Sequence, residues 1–152
     1  MEREDARQND HQDEKARIRD VLDSLWAAIR DKDAEKALRY YHPQRVQFSM
    51  APPLRLPTSP GTDVLEAWFD TWQGPIGHET RDLEIFVGGD VAFCTSLGRM
   101  LGTKTDGERV DLWFRATFGL CKVDDRWKIV HEHESVPFYM DGSDRAALDL
   151  RP

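Results

Sequence analysis

The chain is 152 residues long, 39% hydrophobic, 10% aromatic and 32% charged, with a formal net charge of −7. That length suits one domain able to bury a core without staples. The acidic balance, with no Lys/Arg cluster, argues against nucleic acid and anionic membrane surfaces as partners. Cys94 and Cys121 stand alone in apolar, strand-like runs, which reads as two small buried thiols in a reducing, cytoplasmic setting. No apolar leader and no membrane-length stretch is present, so neither secretion nor membrane insertion is expected.

Residues 1–13, MEREDARQNDHQD, hold almost no large apolar side chain and are expected to form a mobile charged tail. From about residue 14 to 31, Ile18, Val21, Leu22, Leu25, Trp26 and Ile29 follow the three-to-four spacing of an amphipathic helix. Asp33 can cap a short second helix whose buried stripe is Ala34, Ala37, Leu38 and Tyr41, and His42-Pro43 stops it. Residues 45–50 read as a first strand. The stretch 51–61, APPLRLPTSPG, carries four prolines and can be only a loop, suited to lie over a cavity. Asp63 with Glu66 resembles a capping box for a third helix with Leu65, Trp68, Phe69 and Trp72 as its apolar stripe, ended by Gly74-Pro75. Every later signal is β: runs near 79–87 and 91–102 divided by Gly88-Gly89-Asp90, a turn around Asp106-Gly107, and a long hairpin over 108–138. Residues 140–152 form a weakly apolar tail, expected to pack on the domain or on a partner chain. Helices first and strands afterwards predict an α+β fold, with helices on one face of a curved antiparallel sheet.

The hairpin, ERVDLWFRATFGLCKVDDRWKIVHEHESVPF, carries the functional expectation. His131, His133 and Ser135 alternate, so a regular strand presents all three on one face. A two- or four-residue loop at 123–126 pairs Lys122 with Trp127, Phe118 with His131, Ala116 with His133 and Phe114 with Ser135. It leaves Arg115 opposite Glu134 on the reverse face. A three-residue loop sets Lys122 against Lys128, and that like-charge contact disfavours it. In the preferred register His131 and His133 sit against apolar neighbours, neutral at pH 7 and able to accept a proton. The competing reading makes them hydrogen-bonded structural histidines. Two alternating histidines lack a third ligand fixed by spacing, His42 and His78 being the only candidates, so no metal is expected. Arg115 beside Trp113 suits a carboxylate or a stacked ligand, but a cross-strand ion pair with Glu134 is the preferred reading. Trp68, Trp72, Phe114 and Phe118 suit an apolar ligand or a core. No Gly-rich phosphate loop, Cys-x-x-Cys or nucleophile-elbow serine is present, so no cofactor is expected.

The order helix, helix, strand, helix, sheet, together with the closing His-x-His-x-Ser-x-Pro of residues 131–137, resembles the nuclear-transport-factor-2-like superfamily in its SnoaL-like, ketosteroid-isomerase-like branch over residues 14–139. The resemblance implies a cone-shaped α+β barrel with a pocket at its wide end, and a homodimer. It also implies isomerase, cyclase or lyase activity on a small, largely apolar molecule, or non-catalytic binding of such a molecule or of a partner. The isomerases of this superfamily place a carboxylate base at the end of the first strand, where this chain has Val46-Gln47-Phe48-Ser49-Met50-Ala51-Pro52, and a tyrosine on the first helix, where it has Trp26. Their mechanism therefore does not carry over, and catalysis as such is left open.

Overall fold

A computed structural model of the chain describes the backbone of residues 2–56 and 60–152, and within these ranges the side chains from His11 onward. Helix α1, Glu2–Arg30, buries Ile18, Leu22, Leu25 and Ile29, as the apolar spacing predicts. It starts at Glu2, so the stretch expected to be a mobile tail is helical backbone instead. Its Glu, Arg, Gln and Ala residues are strong helix formers, and a long helix propagates from a packed stem at little further cost. Helix α2, Ala34–Leu38, is capped by Asp33, whose side chain accepts from the Lys36 N–H. Strand β1, Tyr41–Phe48, begins earlier than expected, so Tyr41 belongs to the sheet.

Helix α3, Thr62–Phe69, has Gly61 as its N-cap with no side-chain cap, and Asp63 sits in the first turn. The expected capping box is absent there, though an acid in the first turn still suits the helix dipole. The chain leaves the helix at Asp70, well before Gly74-Pro75, and Trp72 opens strand β2, Trp72–Gly88. Gly74 and Pro75 are absorbed by a register shift between Gln73 and Gly77, where a bulge tolerates a missing donor. Strands β3, Val91–Lys104, β4, Arg109–Val123, and β5, Arg126–Ser135, complete the sheet.

The five strands lie in the order β1-β5-β4-β3-β2. The sheet is curved and open, not a closed barrel, and mixed, because β1 joins β5 in parallel. The α+β class holds; the wholly antiparallel sheet does not. Phe114, Ala116, Phe118 and Leu120 of β4 face the helices and are buried. Gly98 on β3 gives Phe114 its room, since a Cβ at that position would lie 2.5 Å from the ring. The C-terminal segment folds back on the domain through a bridge between Phe138 and Ala146, and the Arg151 guanidinium donates to the Asp111 carbonyl at 3.3 Å.

The β4–β5 hairpin positions the site. Its two-residue loop, Asp124-Asp125, has φ of 49° and 58°, as a type I′ turn requires. The predicted register holds from Val123↔Arg126 to Leu120↔Ile129. Then it slips: the next pair is Gly119↔His131, which leaves Val130 as an extra residue, and Phe118 lies opposite Glu132. One inserted residue exchanges the two faces of a strand beyond it.

Glu14 ties α1 to this hairpin. Its carboxylate accepts from Trp127 Nε1 at 2.5 Å and meets Lys122 Nζ at 2.8 Å and Arg17 at 3.0 Å, with the side chain 12% exposed. Burial pushes the carboxyl up, but the bonds from Lys122 and Trp127 hold it below its ordinary value. Deleting residues 1–13 should leave the melting temperature within a few degrees of the parent, because among the described residues the first buried apolar side chain is Ile18. Glu14→Ala should lower it by several degrees, about 1–3 kcal/mol, by leaving the Trp127 donor unpaired. Thermal scans of both variants check this.

Candidate functional site

A cavity of about 600 Å³ lies between the sheet, α1 and α3. Most of its wall is apolar, with Trp26 from α1, Trp68 from α3, and Met100, Leu112 and Phe114 from the sheet. Pro52, Leu56 and Pro60 border it, as expected of the proline-rich loop, part of which, residues 57–59, lies outside the described residues.

The polar groups gather at the β1–β5 side. Beyond the bulge β5 turns Glu132 and Glu134 inward, and both line the cavity. Gln47 is the register partner of Glu132 across the parallel pair. Glu132 Oε2 accepts from the Tyr41 hydroxyl at 2.7 Å and from Gln47 Nε2 at 2.8 Å. Arg45 is 5% exposed; its Nε donates to Gln47 Oε1 at 2.8 Å, an Nη donates to the Pro60 carbonyl at 3.0 Å, and the guanidinium lies 4.8 Å from the Tyr41 ring centre. Arg45 is thus held beside the carboxyl pair by neutral partners.

Burial of a second carboxyl next to the first decides the protonation. Glu134 is pushed well above the ordinary carboxyl range by burial first, then by the charge of Glu132 and the hydrogen bond between them. Burial also raises Glu132, but hydrogen bonds from Tyr41 and Gln47 and the charge of Arg45 offset part of this. Glu134 is pushed further up than Glu132, so it is the one that holds a proton more tightly, because like charges side by side and away from water cannot both ionise freely. Tyr41 is raised well above its usual value by burial and the Glu132 charge, so it stays a donor. Across the cavity, His78 of β2 stacks on Trp26 at 3.6 Å with 8° between planes. Burial lowers His78 to about 4, so its imidazole is neutral at pH 7. Among the described residues its buried Nε2 has no partner.

The predicted site residues divide. Trp68 and Phe114 line the cavity. Phe118 is fully buried in the core beneath Trp26, ring centres 6.5 Å apart, and Trp72 is buried against Trp68 at 5.9 Å. His131, His133 and Ser135 do not face the cavity, because the bulge at Val130 turns them to the opposite sheet face. There His131 Nδ1 pairs with the Val46 carbonyl at 2.9 Å, and both rings stand edge-on to Phe48 at 5.2 and 5.4 Å. Arg115 lies on that outer face too, donating to Ser135 Oγ at 3.2 Å, so the expected pair with Glu134 does not form. Trp113 lies near two guanidiniums there, Arg81 at 5.9 Å and Arg99 at 5.6 Å.

Tyr41, Arg45, Gln47, Glu132 and Glu134 were all missed as site residues, and His78 was considered only as a metal ligand. The available signal was Gly119, an isolated glycine inside a strand, which often marks a bulge. A Cβ there would come 3.3 Å from that of His131. Among the described residues no group of three or more His, Cys, Asp or Glu side chains could hold a metal, and no helix is long and apolar enough to cross a membrane.

An open curved sheet closed on one side by helices, with a cavity between the layers, is the architecture of nuclear-transport-factor-2-like proteins. Residues 18–139 match the SnoaL-like domain family, and the chain belongs to it. A nuclear-transport-factor-2-like protein of unknown function from Pseudomonas putida KT2440 superposes with a TM-score of 0.82 at 27% identity, over 93% of this chain and 98% of that one. A protein of Novosphingobium aromaticivorans provisionally named a scytalone dehydratase gives a TM-score of 0.72 at 19% identity, covering 91% and 94%. The association domain of CaMKII from C. elegans gives 0.67 at 21%, covering 82% and 96%. The last two show the fold alone. No curated protein matches the chain.

Stability should fall as the pH drops from 6.5 towards 4, because the unfolded chain protonates His78 where the folded one does not. The loss from this group is on the order of 2–3 kcal/mol. His78→Phe should flatten that limb, as read from denaturant midpoints at pH 4.5, 5.5 and 6.5. Glu134 acts in the opposite sense. Its raised folded value means that stability is lost as pH rises above the ordinary carboxyl range, so Glu134→Gln should gain on the parent as pH goes from 5 to 8.

Proposed function

We propose that this chain binds a small, largely apolar molecule in the cavity and moves a proton on it with the Glu132–Glu134 pair, in isomerase, cyclase or lyase chemistry. The observation that carries this reading is a pair of adjacent carboxyls at the polar end of an apolar cavity, with Glu134 pushed further up than Glu132. General acid–base work needs an acceptor and a donor whose environments push their proton affinities apart. Glu132 is the base, oriented by Tyr41 and Gln47, and Glu134 is the acid. The end of the first strand, where the superfamily's isomerases place a carboxylate, holds none here, and Gln47 of that strand supports the base from across the β1–β5 pair. Elimination of water is the form that the provisional dehydratase name of the Novosphingobium protein supports. Trp26, Trp68 and Phe114 supply flat apolar walls for the body of the molecule.

The second reading, binding without catalysis, shares the cavity and is separated from the first by turnover. Native mass spectrometry of freshly isolated protein should find a copurifying compound, and that compound or its analogues serve as substrates. Glu132→Gln should lower turnover about 10²–10⁴-fold while changing the melting temperature little. Unchanged turnover in Glu132→Gln would remove the acid–base reading, and ligand capture with no turnover in the parent would favour binding alone.

The outer sheet face is proposed as the contact with a second copy of the chain. Phe86 and Phe93 stack there at 4.5 Å and are 46% and 50% exposed, and half-buried Trp113 lies on the same face further along the sheet, opposite Arg99. That is more apolar surface than a solvated face usually leaves open. Sedimentation velocity at micromolar concentration should show a dimer, and Phe86→Asp with Phe93→Asp should give a folded monomer; a monomeric parent would count against this interface.

A further inference from the structure

With both carboxyls ionised, the cavity wall is one positive charge short. Among the described residues its ionisable side chains are Tyr41 and Arg45 from β1, His78 from β2, and Glu132 and Glu134 from β5; α1 and α3 contribute none. The single guanidinium hydrogen-bonds to Gln47 and Pro60 and lies over the Tyr41 ring, and it forms no ion pair with either carboxylate. When both carboxyls ionise, the site therefore holds two negative charges against one positive charge. Burial makes that imbalance costly, and only a retained proton or an added cation relieves it.

The rest of the wall says which cation fits. A bare metal ion needs several hard ligands and keeps water around it, whereas most of this cavity is apolar and aromatic. Aromatic faces attract organic cations, and the attraction grows where water is excluded. A space of about 600 Å³ holds a molecule with an apolar body as well as a charged end. A carboxylate ligand would meet the Glu132 charge. A neutral alcohol would take one hydrogen bond from Glu134 and leave the missing charge unsupplied.

We propose that the cavity selects a hydrophobic amine, bound as its ammonium against Glu132 and Glu134 with its carbon body between Trp26, Trp68 and Phe114. This rests on the reading of the cavity as the ligand site and names its ligand class; in such a complex Glu134 has given up its proton, and the ammonium N–H takes its place as the acid group beside Glu132. Binding displaces the proton that the carboxyl pair holds. An amine entering as the free base takes that proton, so the Glu134 O–H bond breaks and an N–H bond forms. An amine entering as the ammonium keeps its own proton, and the carboxyl proton leaves to solvent. Either way the complex contains two carboxylates, Arg45 and one ammonium, with no net charge.

The test is calorimetric titration of the intact chain with three isosteric probes, 1-naphthylmethylamine, 1-naphthylmethanol and 1-naphthoate, in phosphate and in Tris at pH 7. The amine should bind about tenfold or more tighter than the alcohol, and the naphthoate weakest. The difference between buffers should report release of close to one proton with the amine and none with the alcohol. Amine affinity should rise from about pH 6 to pH 8, because release of a proton is favoured at higher pH while the amine remains protonated in water. Glu134→Gln and Glu132→Gln should each remove most of the amine's advantage. Equal binding of amine and alcohol, no proton release, or an amine advantage that survives in both variants would overturn the proposal. Alcohol binding as tight as the amine's that weakens in the glutamine variants would overturn the amine while leaving the cavity reading intact; no binding of any probe at millimolar concentration would overturn both.

Discussion

One inserted residue, Val130 on β5, decides which chemistry faces the cavity. On the turn side of it Trp127 and Ile129 point inward and are buried; on the far side Glu132 and Glu134 do. Without the insertion the inner wall would carry two imidazoles and the two carboxyls would stand in solvent. The bulge is accommodated because β4 presents Gly119 opposite His131, leaving room for the doubled residue. A glycine on one strand and an extra residue on its neighbour together place two acids where an alternating strand would place two imidazoles.

That placement is expensive, and the surrounding residues are arranged to meet the cost. A carboxylate taken out of water needs hydrogen bonds and a compensating charge. Glu132 receives Tyr41 and Gln47 from β1, and Arg45 stands nearby, oriented by Gln47 rather than by the acids. Glu134 meets the cost by remaining protonated. Polar groups half satisfied in the free protein, and satisfied only with something else present, are where folded proteins trade stability for function. His78, stacked on Trp26 with its buried Nε2 unpartnered, belongs to the same category on the opposite wall.

Much of the fold was legible from spacing alone. The apolar stripe of α1, the Asp33 cap, the two-residue Asp124-Asp125 turn and the division into helices and hairpins follow from short-range rules that tertiary packing did not override. The helix ends were less legible: Trp72 fits a helical stripe and a strand equally well, and only its neighbours in space decide. The site was largely illegible because it depends on strand parity, a property that one residue inverts. The hairpin turn set the register correctly as far as Leu120↔Ile129. Beyond that point every inward and outward assignment changed places, so the histidines were assigned the role that their neighbours Glu132 and Glu134 occupy. Arg45 and Gln47 were illegible for a different reason, since β1 joins the sheet in parallel across a long sequence separation, and no local pattern announces that partner.

The position of β1 has a consequence for the order in which the molecule opens. β1 is an edge strand with a sheet neighbour on one side only, and its other side is touched by the proline-rich loop through the Leu56 N–H to the Gln47 carbonyl at 3.1 Å. Its parallel pairing with β5 is interrupted between Tyr41 and Val46, the stretch that carries Arg45. Amide protection follows the number and burial of backbone partners, and segments with few of them exchange by local opening, without global unfolding. β1 is therefore the piece of the sheet that can part from β5 while β2, β3 and β4 stay zipped. When it parts, Tyr41, Arg45 and Gln47 leave Glu132 together, and the polar end of the cavity dissolves as a unit while its aromatic walls remain.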